Sequence, residues 1–429
     1  MLYHQQPTSL LKKIANSWYA LILPMILFSL SARAMEKDEN IPIYSSVPPY
    51  AADNMGSNLN PPNIGLPQPL VGFLPVIEED DTIFSPTEAS SQILLEDEKL
   101  PISHRLMQSY GDEEIAPKFG LALDGGGFRG YMEALWLKAF KEELESDTSE
   151  DNFTGPLSEV FDCIGGTSIG GILSLGIASN IEPDELVALF EEHGNSIFPK
   201  GSWCARLKNL GGVIGSKYQP QPLEGLLQAK FGDNTLKDAA TPVLVTACTT
   251  TGKPKLFKSF FADDQGHKLW EVARSTSAAP TYFPSYKLTT HTDFFVDGGI
   301  WNNNPATLVA ASMVKELHGG TFSPNNLYVL SLGTGDMSLH TTLSTDAGLF
   351  SARNIIELLM STSSRGNHET MQTFLGETYY RVNPLITQKI DLAATDKETI
   401  RILKASAEHD LPMGVIKNFA KKFLELRRG

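Results

Sequence analysis

From Lys118 to the carboxyl end, short apolar runs alternate with amphipathic ones, and this alternation constrains the fold more than any other feature of the chain. Such a rhythm predicts an α/β architecture. Strands are expected at Phe119 to Leu123, Val160 to Ile164, Val243 to Cys248, Phe294 to Val296 and Leu327 to Leu332. Helices are expected at Tyr131 to Leu144, about Ile169 to Ala178, Trp270 to Ser275, Ala306 to Leu317 and Ala352 to Ser361. No internal repeat and no break in composition interrupts residues 118–429, which therefore read as one domain.

The amino-terminal part reads differently. Lys12 and Lys13 precede the apolar run Trp18 to Leu30, which ends in Ala32-Arg33-Ala34, the layout of a signal peptide over residues 1–34. Pro24 and the acidic residues that follow at Glu36, Asp38 and Glu39 disfavour the alternative, an uncleaved membrane anchor. Export to a secreted or periplasmic location, with cleavage near Ala34, is the expectation. Residues 35–117 form a leader in which nine prolines fall between Pro42 and Pro86. Proline lacks a backbone donor and fixes its own torsion, so an extended or disordered segment is expected there.

The formal net charge is −15, and removing residues 1–34, with their three basic and no acidic side chains, takes it to −18. Nucleic acid attracts positive charge through counterion release and is excluded as an electrostatic partner, and contact with a lipid surface must be mainly apolar. Cys163, Cys204 and Cys248 form no C-x-x-C spacing, so they read as core residues or at most one disulfide, and no metal site is expected.

Three glycine-rich turns carry the chemistry. Gly166-Thr167-Ser168-Ile169-Gly170 stands between an expected strand and an expected helix. A serine in that sharp turn is pushed out of the sheet edge, and the helix starting beside it offers free amides and a positive dipole end. The bland alternative is a structural turn. Asp124-Gly125-Gly126-Gly127-Phe128-Arg129-Gly130 also joins a strand to a helix. Consecutive glycines let backbone amides approach an anion closely. In an acyl hydrolase such a loop is an oxyanion hole, where one donor is worth about a hundredfold to a thousandfold in rate. The same letters satisfy the dinucleotide fingerprint G-x-G-x-x-G, with Glu145 near the place of the ribose-binding acid, but that reading leaves the serine turn without a role.

The third turn is Asp297-Gly298-Gly299, at the end of the run Asp293 to Val296 and before Trp301-Asn302-Asn303-Asn304-Pro305. Alone it reads as an ordinary turn. Beside the other two, Asp297 becomes a candidate base, because a carboxylate within about 2.6 to 3.2 Å of a serine hydroxyl can take its proton. A triad using His318, His340, His368 or His409 is the alternative.

Taken in order, DGGGFRG, GTSIG and DGGIWNNNP resemble the patatin-like phospholipases. ARSTSAAPTYFP (Ala273 to Pro284) and LSLGTG (Leu330 to Gly335) look like corresponding segments of that family, so the likeness spans about Lys118 to Gly335. YYRVNP (Tyr379 to Pro384) and Asp396 to His409 are more weakly similar to the end of the plant patatin domain. The resemblance implies a three-layer α/β/α fold with a central, mostly parallel sheet. It also implies hydrolysis of acyl esters in phospholipids or galactolipids, with Ser168 as nucleophile and Asp297 as base, and no cofactor. By the same carry-over the amides of Gly125, Gly126 and Gly127 hold the oxyanion, and Arg129 braces their loop, a plain surface charge being its alternative. The partner would be a membrane lipid or lipid aggregate, and an activating protein is compatible with the long leader. Two rival readings stand: a non-catalytic exported protein that keeps the fold for storage or partner binding, and nucleotide binding through the glycine loop.

Overall fold

The structure, a computed structural model, describes residues 116–146, 152–199, 215–317, 324–337 and 352–427. All of them belong to the unit Pro86–Gly429. The expected signal peptide, the leader up to residue 115, and Cys204, His318 and His340 lie outside the described residues.

The strands are β1 (Lys118–Leu123), β2 (Cys163–Thr167), β3 (Val243–Thr249), β4 (Pro254–Lys258), β5 (Phe295–Asp297), β6 (Leu327–Leu332) and β7 (Tyr379–Val382). Five of them run parallel in the order β3-β2-β1-β6-β7, while β4 and β5 both pair antiparallel with β3. The helices are α1 (Tyr131–Glu145), α2 (Ile169–Ala178), α3 (Pro183–Ile197), α4 (Gln221–Phe231), α5 (Leu269–Thr276), α6 (Ala306–Ser312), α7 (Ala352–Leu375), α8 (Lys397–Ala407) and α9 (Asp410–Arg427).

Alternate residues of a strand point to opposite faces, and both faces of this sheet are covered. Phe119, Leu121 and Leu123 of β1, with Val243 and Val245 of β3, join the larger core that holds α1, α3, α8 and α9. Ala122, Leu244 and Val329 point the other way, into a second core with Val309 of α6 and with Met371 and Leu375 of α7. The fold is therefore three-layered α/β/α with a mostly parallel sheet, as the resemblance implied.

β2 lies three residues beyond its expected start, because Val160 and Phe161 are buried at the exit of a 3-10 turn, Leu157–Glu159, and not in the strand. Apolarity marked their burial and misplaced the register. The strand instead includes Gly165 and Gly166, which lack any strand propensity but leave room for close approach. A Cβ on Gly165 would stand 2.4 Å from Val309 Cγ2 and 2.9 Å from Leu244 Cδ1, so α6 rests directly on the strand backbone there.

Gly165→Ala is accordingly expected to lower stability by about 1–3 kcal/mol through overpacking. Chemical denaturation measures it, and an unchanged midpoint would show that α6 can move aside.

Candidate active site

Strand register brings the serine and aspartate turns together. On one edge of β3, the parallel pairing with β2 ends at Thr167 opposite Thr246. The antiparallel pairing with β5 begins at the next rung, Asp297 opposite Ala247. Since β4 occupies the other edge of β3 along Leu244 to Cys248, β2 and β5 share one row and meet head-on. The chain leaving β2 is Ser168, and the residue ending β5 is Asp297. Their side chains are joined by a hydrogen bond from Ser168 Oγ to Asp297 Oδ2 at 2.5 Å. Around them, Thr167 Oγ1 donates to the carbonyl of Asn302 at 2.8 Å, and Trp301 Nε1 donates to that of Ala247 at 2.9 Å, which fastens the segment after Asp297 to the ends of β2 and β3.

Ser168 itself has φ 55° and ψ −121°, a conformation that a side-chain-bearing residue adopts only when its surroundings enforce it. Thr276 Oγ1 of α5 accepts from its amide at 2.8 Å, and its carbonyl starts α2 by accepting from Ile172 at 3.1 Å. The serine is thus held at a strained strand-to-helix corner from both sides.

Asp297 is fully buried. Loss of water pushes its pKa up to about 6, against the opposing effect of the hydrogen bonds from Ser168 and from the Gly299 amide to Oδ1 at 2.8 Å. It is a carboxylate at neutral pH, yet basic enough to receive a proton from the hydroxyl it already touches.

The glycine loop lies against the same corner, with its three amides in different situations. Gly125 N donates to the Asn303 carbonyl at 3.1 Å, so this member of the expected oxyanion hole is already committed. Its carbonyl in turn accepts from Asn303 Nδ2 at 3.1 Å and from Thr334 Oγ1 at 2.9 Å. The amides of Gly126 and Gly127 have no partner among the described residues. Gly127 has φ +58°, and a Cβ there would lie 2.3 Å from the Leu392 carbonyl, so only glycine fits that bend. The loop thus offers two free amides, from Gly126 and Gly127, and not three.

Arg129, expected to brace the loop, does so through no hydrogen bond, and the charges that act on it are those of Glu357 and Asp391. Its side chain is buried and makes no hydrogen bond to a described residue, its Nε being without a partner. A hydrogen-bonded brace comes from Arg381 in β7, which lies in the YYRVNP segment but received no role from the sequence. Its guanidinium grips Asp124 through two bonds, 2.8 Å to Oδ1 and 2.6 Å to Oδ2, and also reaches Ser331 and Ser364. Burial alone would lower the Arg381 pKa, but contact with Asp124 outweighs it and raises it, so Arg381 stays a cation. Beneath it, Glu133 Oε1 accepts from the Asp124 amide at 2.8 Å, and burial, with the Asp124 charge adding to it, pushes its carboxyl well above the usual range. Removing one partner of a buried pair like Asp124–Arg381 typically costs about 3–5 kcal/mol.

An apolar cavity of about 980 Å³, its open mouth included, begins at Ser168, Asp297 and Gly127. It runs between Ile172 of α2, Leu186 and Phe190 of α3, and Leu223, Leu227 and Phe231 of α4. No described histidine lines it: His368 packs on Tyr379 and His409 is exposed at the start of α9. Glu145 ends α1, where it pairs with Lys141 at 3.3 Å, about 20 Å along the helix from the glycine loop. The dinucleotide reading thereby loses its acid. Cys163 and Cys248 are free thiols buried in the core.

Residues 121–310 match the family described as patatin-like phospholipase. Patatin-like protein 2 of Oryza sativa subsp. indica is 34% identical over 230 residues, which is 48% of this chain and 55% of that protein. A cGAMP-activated phospholipase of Escherichia coli is 33% identical over 233 residues, covering 52% and 64% of the two. Patatin-17 of Solanum cardiophyllum is 31% identical over 245 residues, covering 51% and 60%. The chain spans between about half and two thirds of the length of these relatives.

The buried aspartate generates a pH prediction. With a pKa of about 6, its carboxylate form appears as pH rises through that value, so acylation of Ser168 by a soluble ester should rise across pH 5 to 7 and then level off. The folded pKa exceeds the unfolded one of about 3.9, so the folded state binds the proton more tightly and loses stability as pH climbs from about 4 to 6. Asp297→Asn removes that cost and should raise the melting temperature at pH 7.5 while abolishing acylation. A flat rate profile, or a lower melting temperature, would remove Asp297 from the base's role.

Proposed function

We propose that this protein is an exported lipid acyl hydrolase in which Ser168 and Asp297 act as a catalytic dyad. The single observation that carries the reading is the 2.5 Å hydrogen bond between Ser168 Oγ and Asp297 Oδ2 in the wall of a long apolar cavity. The match to the patatin-like phospholipase family supports the same chemistry, as do relatives named as phospholipases. The signal-peptide layout of residues 1–34 supports export.

In this reading the fatty acyl chain lies in the cavity, where each buried methylene contributes about 0.8 kcal/mol. The ester carbonyl then sits over Ser168. Asp297 Oδ2 takes the hydroxyl proton as Oγ attacks, and the tetrahedral oxyanion is received by the amides of Gly126 and Gly127. Collapse expels the alcohol, which leaves with the proton held by Asp297, and the acyl group remains on Ser168. Water then attacks the acyl-enzyme with Asp297 again as base, releasing the fatty acid and restoring the serine. The strained corner at Ser168 and the two-bond clamp on Asp124 hold nucleophile and loop in place beforehand, so little rearrangement accompanies the charge that develops.

Fatty-acid release from mixed phospholipid and galactolipid vesicles tests the reading. The full chain should release fatty acid, and Ser168→Ala should be slower by about a thousandfold or more with its melting temperature intact. Full activity in Ser168→Ala would refute the nucleophile. Silence of both proteins would favour a binding role for the fold.

A further inference from the structure

Asn303, in the segment after Asp297, is buried, and its side-chain amide is used at one end only. Nδ2 donates to the Gly125 carbonyl at 3.1 Å, which fixes the way the amide points, while Oδ1 has no partner among the described residues. Pinning the loop does not explain this, because it needs only the donor, and Thr334 Oγ1 already donates to the same carbonyl at 2.9 Å. A buried acceptor left without a donor is costly enough to require a reason. Two glycines keep it uncovered: a Cβ on Gly125 would lie 2.4 Å from Oδ1, and one on Gly299 would lie 2.9 Å from it. The first of those points is also 3.2 Å from Ser168 Cβ, and the second is 3.1 Å from Asp297 Oδ1. The orphaned oxygen is thus separated from the Asp297 carboxylate by no more than the second pair of lengths together, the span that one water bridges with hydrogen bonds of about 3 Å at each end.

We propose that Asn303 Oδ1 holds the water that hydrolyses the acyl-enzyme, and so selects water over alcohols as the second nucleophile. The proposal rests on the acyl-hydrolase reading and concerns its second half. Once the serine is acylated, Ser168 Oγ no longer donates to Asp297 Oδ2, and the acyl chain fills the apolar cavity, so water must come from another side. A polar pocket of about 440 Å³ supplies it: lined by Asp124, Thr334, Asp336, Ser361 and Ser364, it contains Asn303 and adjoins the apolar cavity at Met360. Attack uses both hydrogens of the water. One passes to Asp297 as the oxygen bonds to the acyl carbon, and the other is donated to Asn303 Oδ1, which aims a lone pair of the water at the ester. The bond from the acyl carbon to Ser168 Oγ then breaks, the proton on Asp297 returns to the serine, and the fatty acid leaves. An alcohol has a single hydroxyl hydrogen, which Asp297 takes. Its carbon would then face Asn303 Oδ1 and leave that oxygen unpaired. Arg129 Nε, also unpartnered and in the same pocket, can only donate and so cannot take this role.

The experiment gives the full chain p-nitrophenyl octanoate in aqueous methanol and measures methyl octanoate against octanoic acid, with Ser168→Ala as the blank. Both products come from one acyl-enzyme, so their ratio is independent of the rate of acylation and of the fraction of folded protein. The wild type should form the acid in preference, mole for mole, although methanol is the stronger nucleophile. Asn303→Leu keeps the bulk and removes the acceptor. It should raise the ester-to-acid ratio about tenfold, the effect of losing one hydrogen bond to the reacting water, and turn nitrophenol release into a burst as acyl-enzyme accumulates. Thr334→Val removes the other donor to the Gly125 carbonyl and should leave the ratio unchanged, whatever it does to the overall rate. An unchanged ratio in Asn303→Leu, or an equal rise in Thr334→Val, would overturn the proposal. So would a wild type that favours methanol, a result that needs no variant to fold. Absence of nitrophenol release by the wild type above the blank would instead refute the acyl-hydrolase reading, and this proposal with it.

Discussion

Everything at the candidate site depends on β2 and β5 ending against each other along one edge of β3. β3 continues past the end of β2, to Thr249, and this overhang is what β5 pairs with. Two strand ends in a single row must turn away from each other. β2 does so through the strained corner at Ser168, and β5 through the turn at Gly298 and Gly299, in which Asp297 Oδ1 caps the Gly299 amide. The meeting of serine and aspartate is therefore a consequence of sheet register, and the sheet is itself buried on both faces. Moving either residue would mean sliding a strand, which changes every pair along it.

The second support is electrostatic. Asp124 leaves β1 at the same sheet end, and the buried Arg381 fixes its carboxylate from the end of β7, across β6. The glycine loop that follows is then pinned by Asn303 and Thr334 on Gly125 and by the Leu392 carbonyl on Phe128. That leaves the amides of Gly126 and Gly127 without a partner among the described residues. The paired groups fix geometry, and the two unpaired amides stand beside the serine corner, where the proposed reaction needs donors.

Much of this was legible in the sequence, because glycine turns beside apolar runs announce themselves locally. Ser168, Asp297 and the glycine loop were all visible that way. What joins them was not: Ser168 and Asp297 are 129 positions apart, and nothing local specifies that β5 pairs with an overhang of β3. Arg381, 257 positions from Asp124, stood in the YYRVNP segment, where only a weak likeness and no chemistry pointed to it, while Arg129 drew the eye because it adjoins the loop. The amphipathic helices α3 and α4, which wall the acyl cavity, begin with Pro183 and with Gln221-Pro222. Proline there starts a helix, since the missing amide is one the first turn would leave unpaired in any case, although the same residue elsewhere signals a break. β4, an edge strand whose sequence Lys-Leu-Phe-Lys follows a proline, carries too short an apolar run to be seen.

The central claim, that Ser168 is a nucleophile activated by Asp297 at the mouth of an acyl cavity, is tested most directly by mass spectrometry after exposure to a long-chain fluorophosphonate, which reacts only with an activated serine. The account predicts one adduct per chain, mapped to the peptide containing Ser168, formed readily at pH 7.5 by the wild type and far more slowly by Asp297→Asn. An adduct on another residue, or equal labelling of both proteins, would contradict it.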